Sequence, residues 1–359
     1  RTPTLDGPLS ESANTRRESG RFRPRRPPPS RRSSSRLPEP AWSARPVLSD
    51  AQSADPELLD AFAAPIVDRR ETARLVRELA AVRPLPGLRH VKRVRPCGDR
   101  GKPHPLEILV CLLSDVPDVE DRGAATLSSL LPCESFDASG LGQPFLAKVP
   151  ASPPLTRPQY ERASAHWPTS FHEDKQVTSA LKGQLFTSAQ KAKMQEYMAA
   201  AVRAAEDGRG RGMDAVGAVM VDPDADRIVA TAHDLRHGSH PLHHAVMVCI
   251  DLVARGQGGG AYCYERHPAC GFAGPGIKGE QRYICTGYDL YVTREPCVMC
   301  AMALLHSRIG RVFYGSASAD GAFGTKYKIH THKDLNHRFE VFKGVLQQVC
   351  SDLNPETTS

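Results

Sequence analysis

The chain has 359 residues, of which 40% are hydrophobic and only 6% aromatic, and it carries 47 Lys and Arg against 40 Asp and Glu. This length allows two ordinary domains, while the few aromatic side chains argue against a base-stacking surface for single-stranded nucleic acid. No apolar run reaches the ~18 residues of a membrane helix, and no signal-peptide core is present, so we expect a soluble intracellular protein. Its 10 cysteines are then expected to be free thiols or metal ligands.

The positive charge is concentrated at the start of the chain. Residues 1–45 hold 11 Arg against 4 acidic residues, which accounts for the whole formal net charge of +7. Their Pro-, Ser- and Arg-rich composition predicts a disordered tail. Such a tail could be a nuclear signal, an RNA-attracting arm or an inert solvated segment, and we expect the protein in both nucleus and cytoplasm. Because the remainder is neutral, any affinity for nucleic acid there must come from local clusters.

Residues 46–150 alternate between short strands and helices. Strands are predicted near 57–62, 89–95, 106–113 and 144–149, and a helix with a capping-box-like start at Asp68 precedes a second, short helix near 124–131. The order β-α-β-β-α-β predicts a ferredoxin-like α+β domain.

The rest of the chain is predicted to comprise a linker, a second domain and a tail. Residues 151–187 are rich in proline and predict the linker, and residues 351–359 form a C-terminal tail. Between them, residues 188–350 alternate strands and helices, which predicts an α/β domain. The glycine-rich stretch 256–282 is expected to be an inserted loop.

The strongest chemical signal comes from His244, Cys297 and Cys300. The two cysteines are three residues apart at the predicted start of a helix, so both sulfurs face the same side and the helix terminus favours thiolate. Two thiolates and one imidazole suit Zn²⁺ with a fourth position left over. The alternatives are a buried cysteine pair or a redox C-x-x-C motif. Cys263, His267 and Cys270 are weaker candidate ligands within the insertion.

The zinc deaminase pattern H-x-E … P-C-x-x-C is present with one substitution. Val246 occupies the position of the glutamate that shuttles protons. General acid/base catalysis contributes about 10²–10⁴-fold in rate, so a valine predicts a site that binds metal without turnover. Asp251 lies too far along the helix to replace that glutamate, and Glu295 belongs to the second half of the motif.

Several separated segments resemble the family of tRNA adenosine deaminases. The run 295–309, which contains both metal-binding cysteines, and the strand 312–315 that follows it are similar to the family core, and 215–219 is similar to its early strand. The later segments 320–324 and 335–341 also resemble the family. Val246, the long N-terminal domain and the Trp167-Pro168 dipeptide are similar to the non-catalytic subunits of the eukaryotic heterodimeric enzymes.

This resemblance carries specific expectations. It implies a cytidine-deaminase-like three-layer α/β/α domain, one Zn²⁺ per chain at His244, Cys297 and Cys300, and no catalytic residue of its own. It also implies a heterodimer with a catalytic subunit that converts wobble adenosine of tRNA to inosine. Asp234 stands where catalytic members usually carry an asparagine that contacts the nucleoside, which is a second departure from an active pocket.

Two basic clusters are candidate tRNA contacts. Residues 68–102 hold 11 Lys and Arg against 4 acidic residues. The first cluster lies in this segment and comprises Arg70, Arg74, Arg77, Lys92, Arg93 and Arg95. The second cluster follows the predicted zinc-binding helix and comprises Lys326 and Lys328. We expect them to bind phosphates, although a solvated charged face is the common alternative.

Two rival functions remain open at the level of sequence. One is an independent deaminase of a small nucleotide, which would have to work despite Val246. The other is a structural zinc RNA-binding protein that takes no part in deamination.

Overall fold

The computed structural model describes residues 42–98, 104–116, 125–131, 136–238, 240–274 and 282–354. Most of the predicted tail 1–45, part of the 256–282 insertion and the end of the segment 351–359 therefore lie outside the described residues. Among the helices described, none is both long and apolar enough to cross a lipid bilayer.

A small α+β domain follows strand β1 (Arg45–Pro46), which itself pairs with a strand of the second domain. In chain order its elements are α1 (Asp50–Ser53), β2 (Leu58–Ile66), α2 (Thr72–Val82), β3 (Val94–Pro96), β4 (Leu106–Leu112), α3 (Leu127–Leu130) and β5 (Phe145–Pro150). Strands β2 to β5 make a four-stranded antiparallel sheet of order β3-β4-β2-β5. This is the ferredoxin-like arrangement that the β-α-β-β-α-β order predicted.

Two boundaries in this domain differ from prediction. Asp68 caps a short 3₁₀ turn by accepting a hydrogen bond from the backbone N–H of Arg70, so α2 begins four residues later than expected. The strand expected at 89–95 forms only at its end. The backbone of its first half is drawn away from the sheet, because Val91 pairs with Thr169 instead.

The segment predicted as a linker, residues 151–187, includes regular secondary structure that the prediction did not give. It contains α4 (Arg157–His166) and α5 (Lys175–Leu181). Trp167, at the end of α4, is fully buried against the face of the four-stranded sheet opposite to α2 and α3, together with Leu88 and Leu109. The prolines of this segment are compatible with helices, because Pro158 lies in the first turn of α4, where proline is tolerated.

The second domain is built on a seven-stranded sheet. Its elements are α6 (Ser188–Gly210), β6 (Gly217–Asp222), β7 (Arg227–His233), α7 (Ala245–Gly256), β8 (Gly271–Phe272), β9 (Asp289–Arg294), α8 (Val298–His306), β10 (Arg311–Ser316), β11 (Glu340–Lys343) and α9 (Gln347–Asp352). The strand order is β1-β11-β10-β9-β6-β7-β8, with β9, β10 and β11 parallel. β8 comes from the predicted insertion, and β1 comes from before the first domain.

Helices cover both faces of this sheet, which confirms the expected three-layer α/β/α architecture. The side chains of α6 and α9 pack on one face around Tyr291, Phe313 and Phe342. The side chains of α7 and α8 pack on the other face around Leu290 and Val292. Strands β7 and β9, which precede α7 and α8, both run antiparallel to β6 and therefore end at the same edge of the sheet, so the beginnings of α7 and α8 are brought together.

Candidate metal centre

The three predicted metal ligands lie together where two helices begin. His244 is the residue before α7, Cys297 is the residue before α8, and Cys300 lies in the first turn of α8. Their ligand atoms all lie within 4.8 Å of one another, and Sγ of Cys297 is 3.6 Å from Nδ1 of His244. Within the described residues this is the one group of three or more His, Cys, Asp or Glu side chains so placed.

The contacts within this group stabilise a thiolate. The hydrogen bond with Cys300, supported by the one with His244, lowers the pKa of Cys297 to about 3. The same bond, together with burial, raises the pKa of the Cys300 thiol well above its ordinary value. Cys297 is therefore the more readily deprotonated of the two thiols, and a metal cation binds deprotonated thiols. Two sulfurs and one imidazole nitrogen at this spacing fit a tetrahedral zinc site with three protein ligands.

The pocket beside the ligands has a volume of about 140 Å³. Val246 is buried in its wall, in the first turn of α7, where it offers no group that can carry a proton. Asp234 and Arg236 also line it, and Nε of Arg236 donates to Oδ2 of the buried Asp234 at 2.8 Å. Arg236 also forms an ion pair with Asp214. A fixed ion pair thus lies where the resemblance places the nucleoside contact.

Glu295 lines the same pocket but its carboxylate is fully used. It accepts hydrogen bonds from the backbone N–H groups of Phe323 at 2.9 Å, Thr325 at 3.1 Å and Ser318 at 3.3 Å. The hydroxyl of Thr325 donates to it as well. A buried carboxylate that accepts four hydrogen bonds holds a loop in place and has no free lone pair directed at the metal position. The expectation that Glu295 does not replace the missing acid/base group agrees with this geometry.

Asp251 is likewise committed elsewhere. Its carboxylate accepts hydrogen bonds from the hydroxyl of Tyr264 at 3.0 Å and from the backbone N–H of Ala261 at 2.8 Å. Both donors belong to the inserted segment, so Asp251 anchors that segment rather than facing the metal ligands.

The weaker ligand candidates of the insertion do not assemble into a site. Cys263 is exposed, whereas the Cys270 thiol is buried, where it accepts a hydrogen bond from the backbone N–H of His233. The ring of His267 packs edge-to-face against the ring of His233. In the part of the chain that the structure describes, their ligand atoms are not close enough to join a group of three.

Three of the predicted RNA-binding arginines have internal partners instead. Arg74 forms ion pairs with Glu71 and Glu78 and donates to the carbonyl of Ser139. The guanidinium of Arg93 donates to four backbone carbonyls, which belong to Leu79, Arg83, Leu109 and Val110. Burial lowers the pKa of Arg93 to about 10. These bonds hold the first domain together, because they join α2 to β4.

Arg95 connects the first domain to the segment after α4. Its guanidinium lies 4.0 Å from the ring centre of Trp167, donates to the carbonyl of His166 and pairs with the buried Glu107. The guanidinium donors of Arg74, Arg93 and Arg95 are therefore occupied within the protein, which favours a structural role for these three residues.

The remaining predicted contacts are accessible to different degrees. Arg70, Arg77 and Lys92 are exposed, and their side chains have no ion-pair partner within the described ranges. Lys326 and Lys328 are paired with Asp320 at 3.5 Å and Asp50 at 2.6 Å, both of whose side chains are largely exposed.

Sequence reasoning did not find Arg236. Its role depends on an ion pair with Asp214, which is 22 residues earlier in the chain. The only local signal was the spacing of Asp234 and Arg236, which is too common to identify a pair. The tertiary structure is needed to bring both carboxylates to one guanidinium.

Two family models match the chain in the order of its domains. A model described as the N-terminal domain of the tRNA-specific adenosine deaminase TAD3 matches residues 59–167. A model described as the cytidine and deoxycytidylate deaminase zinc-binding region matches residues 191–316. The first match ends at Trp167, in agreement with the packing of that residue on the first domain.

Curated relatives cover most of the chain. A Danio rerio protein named "Probable inactive tRNA-specific adenosine deaminase-like protein 3" is 66% identical over 320 residues, which are 88% of this chain and 95% of the relative. A Homo sapiens protein of the same name is 56% identical over 89% of this chain and 94% of its own length. The Schizosaccharomyces pombe "tRNA-specific adenosine deaminase subunit tad3" is 29% identical over 72% of this chain and 74% of its own length.

Proposed function

The chain belongs to the family of tRNA-specific adenosine deaminase-like protein 3, and we propose that it is the zinc-binding, catalytically silent subunit of a tRNA wobble-adenosine deaminase. The observation that carries this proposal is the combination of a complete ligand set with Val246 in the pocket wall. A catalytic partner subunit would supply the acid/base glutamate, and this chain would supply binding of tRNA and support of the partner.

Silence of the site follows from the chemistry of its lining. Zinc held by His244, Cys297 and Cys300 would polarise a water molecule, as zinc does in deaminases generally. Hydrolytic deamination also needs a group that accepts a proton from that water and passes one to the leaving amine. Val246 cannot do either, and the carboxylate of Glu295 is saturated with hydrogen bonds. The metal would then serve to fix the beginnings of α7 and α8.

The surface next to the metal centre supports the presence of a protein partner. Val298 and Met302, one turn apart on the outer side of α8, are 42% and 37% exposed. They directly flank the metal-binding cysteines, and Leu242 just before α7 is 52% exposed. An apolar patch of this kind at a helix surface is a common feature of protein interfaces. A partner bound here would place its own site close to the silent one.

The first domain supports the proposal of tRNA binding. Arg70, Arg77 and Lys92 present cations on its surface that have no ion-pair partner in the part of the chain that the structure describes. The open sheet face that many ferredoxin-like domains offer to RNA is closed here by Trp167. We therefore assign phosphate binding to the side of α2 rather than to the sheet.

Formation of inosine at the wobble base of a full-length tRNA tests the function. We expect no inosine from this chain alone and robust conversion with the catalytic subunit added. The variant Val246→Glu should remain inactive alone, because the Asp234–Arg236 ion pair still occupies the pocket. Turnover by the wild-type chain without a partner would refute the proposal.

One bound zinc per chain, lost in Cys297→Ala, is the expected result of metal analysis.

The exposed arginines of α2 can be separated from the paired one by substitution. Replacing Arg70 and Arg77 by glutamine should weaken tRNA binding by the heterodimer by roughly tenfold, because two phosphate contacts are lost. The matched variant Arg74→Gln should instead lower the free energy of unfolding, since Arg74 holds Glu71, Glu78 and Ser139. Filter binding and urea unfolding measure the two effects. Equal affinity of wild type and the double variant would remove this face from the tRNA-binding surface.

A further inference from the structure

Two cations face each other at the outer edge of the seven-stranded sheet. Arg45 on β1 is the direct cross-strand partner of Lys343 on β11, and both side chains are exposed. Directly opposed residues on antiparallel strands have Cβ atoms about 5 Å apart, and like charges at such positions destabilise a sheet. Neither side chain has an acidic partner within the described residues; Nε of Arg45 donates to Oγ of Ser43. An anion bound between the two side chains would relieve this repulsion.

The pair lines a groove that contains no acidic side chain among the described residues. The groove has a volume of about 750 Å³ and runs between β1, the loop around Thr325 and the start of α9. Besides the two cations, it presents hydroxyl and amide groups, which belong to Ser43, Thr325, Gln347 and Gln348. The indole of Trp42 forms part of its wall. Arg, Lys, Ser, Thr and Gln are side chains that bind phosphate and sugar oxygens in nucleic-acid complexes.

The groove continues into a second cavity at the junction of the two domains. This cavity of about 310 Å³ shares Gly324 and Lys343 with the groove, and it too has no acidic lining residue in the described ranges. It adds two cations, Lys328 and Arg162. Their ion-pair partners, Asp50 and Asp55, have side chains that are 90% and 85% exposed. Such exposed pairs contribute little, so a phosphate can replace the carboxylate at small cost.

We propose that this furrow, from Arg45 and Lys343 to Lys328 and Arg162, binds the phosphodiester backbone of the tRNA substrate. The proposal rests on the proposed function and adds a binding surface on the deaminase-like domain to the one on α2. A chain of phosphates suits the furrow because its cations are distributed over two linked cavities instead of converging on one point. The aromatic ring of Trp42 adds a surface on which an unpaired base can stack.

The opposed cations allow binding and folding to be separated in one variant. Arg45→Glu converts a like-charged pair into an opposite-charged pair with Lys343, and opposite charges at such positions stabilise antiparallel strands. The melting temperature of the variant should therefore be equal to or above that of the wild type. Its tRNA affinity should fall, because a cation is lost and an anion is placed in the furrow. A purely structural role of Arg45 would move both quantities in the same direction.

The experiment uses the complete heterodimer and a full-length tRNA transcript at several salt concentrations. For Arg45→Glu and for Lys343→Glu we expect about tenfold weaker binding and a plot of log affinity against log salt that is shallower by roughly one unit. The control Arg203→Glu alters an exposed arginine on α6, distant in sequence from the furrow, and should leave affinity and slope nearly unchanged.

Each outcome has a distinct meaning. Unchanged affinity and slope in both furrow variants, with tight binding by the wild type, would overturn the furrow while leaving the proposed function intact. Absence of tRNA binding by the wild-type heterodimer would instead refute the proposed function. Binding of poly-glutamate that is lost in both variants, with tRNA binding retained, would overturn the assignment to RNA and identify an acidic protein segment as the occupant.

Discussion

At the scale of single residues, the candidate metal centre combines a complete set of potential zinc ligands with a valine in the pocket wall. His244, Cys297 and Cys300 keep the geometry of a zinc site, whereas Val246 removes the one group that would move protons. Glu295 shows why the position of a carboxylate matters more than its presence. It lies two residues before a ligand, but its oxygens are bound to the loop that contains Phe323 and Thr325. Gly321 allows that arrangement, because a Cβ there would collide with the Glu295 carboxylate.

The carboxylate of Glu295 should therefore be essential for the loop. In Glu295→Gln an amide N–H₂ would face backbone donors, and we expect the free energy of unfolding to fall by about 2–4 kcal/mol, since hydrogen bonds to a buried charge are worth roughly 1.5–3 kcal/mol each. Urea unfolding of the zinc-loaded protein measures the change. The control Asp320→Asn, whose carboxylate is 81% exposed, should cost little. Equal stability of the two variants would contradict the loop-anchoring role.

At the scale of elements, the end of α4 covers one face of the four-stranded sheet of the first domain. Trp167 fills the second face of the four-stranded sheet, and its Nε1 donates to the carbonyl of Lys92 at 2.6 Å. Arg95 stacks on the same ring and pairs with the buried Glu107. Arg95, which the sequence alone presents as an RNA contact, thus holds a connecting segment on the sheet.

Removal of the indole should open this face. We expect Trp167→Ala to lower the free energy of unfolding by about 3–5 kcal/mol, the usual cost of truncating a fully buried large aromatic residue. The matched control Tyr283→Ala removes an aromatic ring that is 61% exposed and should have almost no effect. Chemical denaturation and limited proteolysis between the domains report the difference. Normal protease resistance of Trp167→Ala would show that the connector is held by other contacts.

At the scale of the whole molecule, the chain passes between the domains twice. It begins as strand β1 on the sheet of the second domain, forms the first domain, and returns through α4 and α5. Side chains reinforce the junction: Nε2 of His330 is 2.9 Å from the carbonyl oxygen of Val47, and Gln176 donates to Glu340. Two covalent connections and these bonds couple the basic side of α2 to the deaminase-like domain.

Buried histidines make this assembly sensitive to mild acid. Burial lowers the pKa of His243, His267 and His330 below the ordinary value of 6.5. The unfolded chain takes up protons on these rings as the pH falls below about 6.5, while the folded protein resists them, so the free energy of unfolding should decrease from that pH downward. Above pH 6.5 these residues should cause no change.

Urea unfolding at pH 7.5 and pH 5.5 measures this dependence. The loss of stability between the two values should be smaller in His330→Gln, which retains a donor for Val47 but does not titrate. The exposed His172 provides the control, and His172→Gln should leave the pH dependence as it is in the wild type. An identical dependence in His330→Gln and wild type would exclude a contribution from His330.

The order of elements was available from the sequence, because hydrophobic periodicity is a local property. It predicted the β-α-β-β-α-β path, the helices that begin beside His244 and Cys297, and the order of strands and helices after residue 188. The spacing of Cys297 and Cys300 and the presence of Val246 were also local, and several separated motifs in order, among them residues 295–309, indicated the family.

The sequence could not determine which polar groups meet across the chain. Arg74, Arg93 and Arg95 have the composition of a phosphate-binding cluster, and only the fold shows that backbone carbonyls and buried carboxylates already occupy their donors. The pairing of Arg45 with Lys343 joins residues almost 300 positions apart. The sequence by itself determined most of the elements, because they depend on near neighbours, and the spacing of Cys297 and Cys300 indicated the candidate metal site. The tertiary structure alone decided which charges are neutralised and which remain free, because that depends on contacts between distant segments.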